Sequence, residues 1–200
     1  MKSFFIFCLC FWTSSIFADP RILFLGDSLT EGYGVQKEES FPSLLENKLK
    51  QDLKMNDLKI INAGIGGATS ASGLSRLEWH LKTKISHLII ALGSNDALRG
   101  LKPADTMKNL DLVLDRALKA HVKILILGAK APPNYSKAFT NEFDSLFLKL
   151  SKKYKLPLVP FILEGVAGNP KLNQADGIHP NPEGNKIIAD KLLKPIKDFL

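Results

Sequence analysis

Four short apolar runs, each followed by a stretch with helical spacing, constrain this chain more than any other feature. Residues 21–25 (RILFL), 58–61 (LKII), 87–92 (HLIIAL) and 122–127 (VKILIL) have strand length, and the last two are nearly continuous in apolar residues. Continuity of that kind marks strands covered on both faces, whereas a half-exposed strand alternates. A weaker fifth run lies at 158–161 (LVPF). Between the runs, apolar residues recur three and four apart: Phe41, Leu44, Leu45 and Leu49; Met107, Leu110, Leu114, Ala117 and Leu118; Phe139, Phe143, Leu146, Phe147 and Leu150. Alternating strands and helices predict an α/β domain with a parallel sheet, because a parallel crossover needs a helix to return the chain. Ser40, Asp105 and Ser136 stand where N-caps belong, and Asn181-Pro182 opens a last helix that Pro195 is expected to end or kink. Trp79 falls in a helix-like segment and is expected to pack against the core.

A chain of 200 residues with 45% hydrophobic residues suits one compact domain, and excludes a disordered polymer or a large multidomain enzyme. No repeat, low-complexity tract or long linker interrupts it. The formal charge of +7 rests on 23 Lys and only four Arg, spread along the whole sequence. Arg is the residue that forks onto phosphates and bases, so dispersed Lys predicts a solvated surface and no nucleic-acid partner; contact with an anionic membrane surface is the other use such charge has. Residues 1–18 (MKSFFIFCLCFWTSSIFA) have the layout of a secretory signal, with Lys2, an apolar run, and small Ala18 ahead of Asp19-Pro20. The run from Phe4 to Trp12 is too short for ~30 Å of hydrocarbon, so cleavage after Ala18 is expected, leaving residues 19–200 as a periplasmic or secreted domain. Both cysteines, Cys8 and Cys10, fall in that leader. The mature domain would then have no thiol for a nucleophile, disulfide or thiolate metal site. The sequence does not fix the oligomeric state, and a monomer is compatible with it.

In a parallel α/β sheet, sites form beyond the carboxyl ends of the strands, so the following loops carry the functional information. After the first strand, Gly26-Asp27-Ser28-Leu29-Thr30-Glu31-Gly32 allows a tight turn into a helix. Ser28 there is either a hydroxyl raised over the sheet edge or simply a helix cap. After the second, Asn62-Ala63-Gly64-Ile65-Gly66-Gly67-Ala68-Thr69 can turn a backbone N–H toward an anion, or merely lead into a helix capped by Thr69 or Ser70. After the third, Gly93-Ser94-Asn95-Asp96 offers the Asn95 amide as a donor, with Asp96 either holding the loop or capping the next segment. Asp176-Gly177-Ile178-His179-Pro180 can set a carboxylate against an imidazole, fixing its tautomer and leaving the other ring nitrogen free as a base. His80, His87 and His121 sit in helix and strand patterns and read as structural.

Taken together, Gly26-Asp27-Ser28-Leu29, Gly67 in its glycine cluster, Gly93-Ser94-Asn95-Asp96 and Asp176-Gly177-Ile178-His179-Pro180 resemble the four blocks of the GDSL, or SGNH, hydrolases. They stand in family order and cover nearly all of the mature chain. With Asn95-Asp96-Ala97-Leu98-Arg99-Gly100, the sequence is most similar to the short branch of bacterial arylesterases and multifunctional thioesterase/lysophospholipases. The resemblance implies a flavodoxin-like three-layer α/β/α sandwich with about five parallel strands. It implies Ser28 as nucleophile, His179 as base and Asp176 as its orienting carboxylate, with an oxyanion hole from the Ser28 and Gly67 N–H groups and the Asn95 side chain. No cofactor or metal is implied. Ala68 departs from the pattern, since close relatives often have Asp after the oxyanion glycine; the change bears on loop stiffness or substrate preference.

The residues support ester hydrolysis through an acyl-enzyme. Two loops, 131–135 (APPNY) and 161–166 (FILEGV), are expected to shape an apolar acyl pocket. That favours aryl and short-to-medium acyl esters, thioesters or lysophospholipids over acetylated sugars. A carbohydrate deacetylase with the same catalytic residues is the alternative, and a non-catalytic surface-binding protein would not need all four blocks.

Overall fold

The computed structural model describes residues 20–200, so the expected leader lies outside the described residues. The chain runs β1 (Arg21–Gly26), α1 (Ser28–Glu31), α2 (Phe41–Leu53), β2 (Lys59–Gly64), α3 (Gly73–Leu81) and β3 (His87–Ala91). It continues through α4 (Ser94–Leu98), α5 (Pro103–Lys119), β4 (Lys123–Leu127), α6 (Lys137–Tyr154), β5 (Leu158–Val159) and α7 (Pro182–Phe199). The five strands form one wholly parallel sheet in the order β2-β1-β3-β4-β5.

Strand residues feed the two faces alternately, as the two-residue period of a strand requires. Leu23, Leu25, Leu88, Ile90, Ile124 and Ile126 face α3, α5 and α6, where Leu77, Leu114, Phe143 and Phe147 close the layer. Ile22, Phe24, Ile89, Leu125 and Leu127 face α2 and α7, against Phe41, Leu45, Ile188 and Leu192. This is the three-layer α/β/α sandwich. After β1 the chain turns to β2 on one side, and later returns to β3 on the other. The carboxyl ends of β1 and β3 therefore form a switch point, which opens a crevice where their loops diverge.

Several helix boundaries differ from the sequence reading for identifiable reasons. Ser136 caps α6 as expected, accepting from the Phe139 N–H at 3.3 Å, and Asn181 caps α7 through the Gly184 N–H at 3.0 Å. Ser40 holds the N-cap position of α2, but its hydroxyl donates to the Lys37 carbonyl. The Phe41 N–H is taken instead by Asn185 Oδ1 of α7 at 3.0 Å, a cap supplied across the layer. Asp105 is not a cap, because α5 starts two residues earlier at Pro103, whose missing N–H suits the first turn. Pro195 does not end α7, which continues to Phe199. Leu192 and Ile196 are buried, and the Phe199 ring stands edge-on to the buried His87 at 5.2 Å, so packing holds the last turn. Trp79 is a clear correction: it is 66% exposed, with Lys82 Nζ 4.8 Å from its ring centre. It follows the fully buried Leu77 by two residues, about 200° round the helix, and so faces water. The run at 158–161 yields only Leu158–Val159 as strand, since Pro160 has no N–H for the ladder.

Candidate active site

Ser28 is the first residue of α1, directly beyond β1. The cap is its neighbour: Asp27 Oδ1 accepts the Leu29 N–H at 3.0 Å, which leaves the Ser28 hydroxyl free to project. Gly26 is needed at the strand exit because any Cβ there would collide with the Thr30 side chain. His179 arrives from the other end of the sequence, and its Nε2 lies 2.9 Å from Ser28 Oγ. Its Nδ1 lies 2.7 Å from Asp176 Oδ2. The other carboxylate oxygen, Oδ1, accepts the N–H groups of Ile178 and His179 at 3.0 Å each. Asp176 thus shapes the loop with one oxygen and orients the imidazole with the other. The His179 side-chain bond and these two N–H groups hold its carboxyl down at about 2, so it stays ionised across the neutral range. Serine, imidazole and carboxylate form one hydrogen-bonded line.

The neighbouring loops are tied to that line by specific bonds. Asn95, near the start of α4, donates from Nδ2 to the Ala68 carbonyl at 3.1 Å, and Arg99 donates to the Gly67 carbonyl at 2.9 Å. Gly67 has φ +73, a conformation that favours glycine. Asp96 does hold its loop: buried, it accepts from the Ser70 N–H at 2.8 Å, from the Ser70 hydroxyl, and from Thr106 Oγ1 at 3.1 Å. The loop carrying Ala68 is therefore stiffened by Asn95, Arg99 and Asp96.

Two contributors have no sequence motif of their own. Arg76 of α3 reaches over the carboxyl edge to the Gly26 carbonyl at 2.9 Å and to the Ala63 carbonyl, clamping the ends of β1 and β2. Tyr33 stacks on His179 with ring centres 4.6 Å apart.

A cavity of about 270 Å³ opens beside Ser28 and His179. Leu98, Ala131, Pro132, Pro133, Phe161, Ile162 and Leu163 line it, so both expected loops contribute. Not every residue of those loops does. Val166 is fully buried in the layer against α7, and the Tyr135 hydroxyl bonds the Leu98 carbonyl at 3.1 Å rather than facing the cavity. Among the described residues, no cluster of three His, Cys, Asp or Glu is arranged to hold a metal.

Asp27 carries an electrostatic cost. Burial pushes its carboxyl up to about 6, against the pull of the Leu29 N–H and the Ser94 side chain. An unfolded Asp ionises near 3.8, so on raising the pH the unfolded chain releases its proton first. The stability Asp27 contributes is then complete below that value and lost as the pH rises through about 6. Asp27→Asn retains an oxygen for the Leu29 N–H. It is expected to gain about 2–3 kcal/mol over wild type on going from pH 4 to pH 8. Urea titrations at both pH values measure this; an equal difference at both would refute it.

The comparisons with known proteins agree on one group. The GDSL-like Lipase/Acylhydrolase family matches residues 24–187. The thioesterase 1/protease 1/lysophospholipase L1 of Escherichia coli K12 is 34% identical over 184 residues, covering 92% of this chain and 86% of that protein. An arylesterase of Vibrio mimicus is 35% identical over 195 residues, covering 97% and 95%. The solved structure of a psychrotrophic esterase, EstA, from Pseudoalteromonas sp., inhibited by monoethylphosphonate, superposes with a TM-score of 0.83. It is 34% identical and covers 90% of this chain and 98% of that one.

Proposed function

The chain belongs to the GDSL-like lipase/acylhydrolase family and is a carboxylic ester hydrolase, and from that premise we propose that Ser28, His179 and Asp176 carry the reaction. The observation that supports this most is the unbroken line from Ser28 Oγ through His179 to Asp176, with contacts of 2.9 and 2.7 Å. A serine hydroxyl is a weak nucleophile until a base takes its proton. His179 Nε2 accepts that proton as Ser28 Oγ attacks the ester carbonyl, and Asp176 stabilises the imidazolium without becoming protonated. The N–H groups of Ser28 and Gly67 and Asn95 Nδ2 receive the oxyanion. The tetrahedral adduct collapses, His179 passes the proton to the leaving alcohol, and Ser28 keeps the acyl group. Water then attacks by the same route, with His179 again as base, and releases the acid.

The acyl group occupies the cavity walled by Leu98, Pro132, Phe161, Ile162 and Leu163, and its apolar lining favours aryl and short-to-medium acyl esters, thioesters and lysophospholipids. Leu98 and Ile178, which line the cavity, are 43% and 46% exposed, and the lining Lys130 and nearby Arg99 are exposed as well. Apolar side chains interleaved with cations suit an anionic lipid surface from which such substrates are drawn. The enzyme is exported and cleaved after Ala18, and an intact native mass beginning at Asp19 reads that directly.

A series of p-nitrophenyl esters of increasing acyl length tests the substrate reading. Each buried methylene contributes ~0.8 kcal/mol, so kcat/KM is expected to rise about fourfold per CH₂ and level off at medium length. A rate that declines steadily from acetyl upward would instead assign the site to deacetylation. With lysophospholipid in anionic vesicles, added salt is expected to depress the rate while hydrolysis of a soluble neutral ester is unchanged. Equal responses would remove the membrane contact.

A further inference from the structure

We propose that Tyr33 and Gln174 are positioning residues for the base: Gln174 fastens the segment after the nucleophile to the loop bearing His179, and the Tyr33 ring keeps the imidazole in line. This rests on the assignment of His179 as the base.

Tyr33 is 54% exposed, so core packing does not explain where its ring lies. The ring lies against the His179 imidazole, with centres 4.6 Å apart and planes inclined by 39°. Its backbone is fixed to the nucleophile, since the Tyr33 N–H donates to the Ser28 carbonyl at 3.1 Å after the left-handed turn at Gly32, φ +83. Gln174 supplies the cross-tie. Its Nε2 donates to the Tyr33 carbonyl at 2.7 Å and to the Pro180 carbonyl at 3.1 Å, while its N–H donates to the His179 carbonyl at 2.8 Å. Gly34 leaves room for this side chain, because a Cβ there would stand 2.1 Å from Gln174 Oε1. One amide therefore connects two segments more than 140 residues apart in sequence.

The chemistry gives the stack a purpose. As the base, His179 becomes an imidazolium when it takes the Ser28 proton. Asp176 stabilises that charge at Nδ1 in the plane of the ring. The Tyr33 ring lies 4.6 Å from the imidazole and inclined to it, and an aromatic ring at that range attracts the cation more than the neutral ring. The contact strengthens toward the transition state, so it acts on kcat rather than on substrate binding.

The test compares Tyr33→Leu with Tyr33→Phe on a soluble aryl ester. Tyr33→Leu is expected to lower kcat about fivefold, with KM within about twofold of wild type. Tyr33→Phe keeps a ring and is expected to stay within about twofold in both constants. In NMR spectra the His179 Hε1 resonance, identified by its loss in His179→Asn, is expected to move in Tyr33→Leu as the ring current disappears, and to stay near its wild-type position in Tyr33→Phe. Gln174→Leu is expected to lower kcat by a similar factor and to broaden that resonance as the loop loses its tie. An unchanged kcat in Tyr33→Leu, a loss expressed only in KM, or Tyr33→Phe falling as far as Tyr33→Leu would overturn the proposal. His179→Asn, assayed alongside, separates the two levels. Activity surviving there defeats the assignment of the base, whereas an inactive His179→Asn beside a fully active Tyr33→Leu defeats the positioning role alone.

Discussion

Ser28→Ala is expected to lower kcat by roughly five orders of magnitude, His179→Ala by a similar factor, and the double variant by little more than either. The reason is geometric. The 2.9 Å contact between His179 Nε2 and Ser28 Oγ makes each useless without the other: an alanine at 28 leaves nothing to deprotonate, and one at 179 leaves a hydroxyl that is not a nucleophile at neutral pH. What survives in all three variants is the contribution of the oxyanion donors and substrate binding, and this sets a common floor. Ser28 is 9% exposed at the start of a four-residue helix, and the methyl of alanine fits its space, so the fold is retained. The variants are assayed by kcat on an aryl ester, with circular dichroism verifying the fold. A phosphonate ester adds an independent readout, because peptide mapping should find it on Ser28 in the wild type. Label on another residue, or losses that multiply in the double variant, would mean that Ser28 and His179 do not act as a unit.

The sheet was legible in the sequence because strands covered on both faces are apolar along most of their length, and that demand leaves nearly continuous runs at 87–92 and at 122–127. The four blocks were legible because each falls in the loop after a strand or before a capped helix. Asp27 shows the limit of local reading: Ser28 could have been the cap, and only the bond from the Leu29 N–H to Asp27 separates the two roles. The helix caps from Asn185 and the clamp from Arg76 depend on partners 144 and 50 residues away, so no window of sequence contains them. Trp79 was misread because a short helical pattern with few apolar residues does not fix which side faces the sheet; Leu77 settles it, and Trp79 lies opposite. Tyr33 and Gln174 were invisible for a similar reason. A tyrosine in a turn and a glutamine in a loop acquire meaning only when the last loop folds back across the first.

Asn95→Ala is expected to lower kcat about 100- to 1,000-fold while leaving KM nearly unchanged, as loss of one preorganised oxyanion donor does elsewhere. Two effects have to be separated. Asn95 Nδ2 has two N–H bonds to give: one goes to the Ala68 carbonyl at 3.1 Å, and the other is available to the oxyanion. Truncation therefore removes a donor and also releases the loop that positions Gly67. Arg99 provides the control, since it ties the same loop through the Gly67 carbonyl at 2.9 Å. It adds no donor to the proposed oxyanion hole. If loop position were the whole effect, Arg99→Ala would cost as much as Asn95→Ala; it is expected to cost less than about tenfold, because its bond to the loop is exposed to competing water. Comparable losses in the two variants would reduce Asn95 to a loop anchor. Asn95→Asp sharpens the contrast, because it preserves shape but turns a donor into an anion facing developing negative charge. Its kcat should fall below that of Asn95→Ala, whereas a side chain that only filled space would tolerate the exchange.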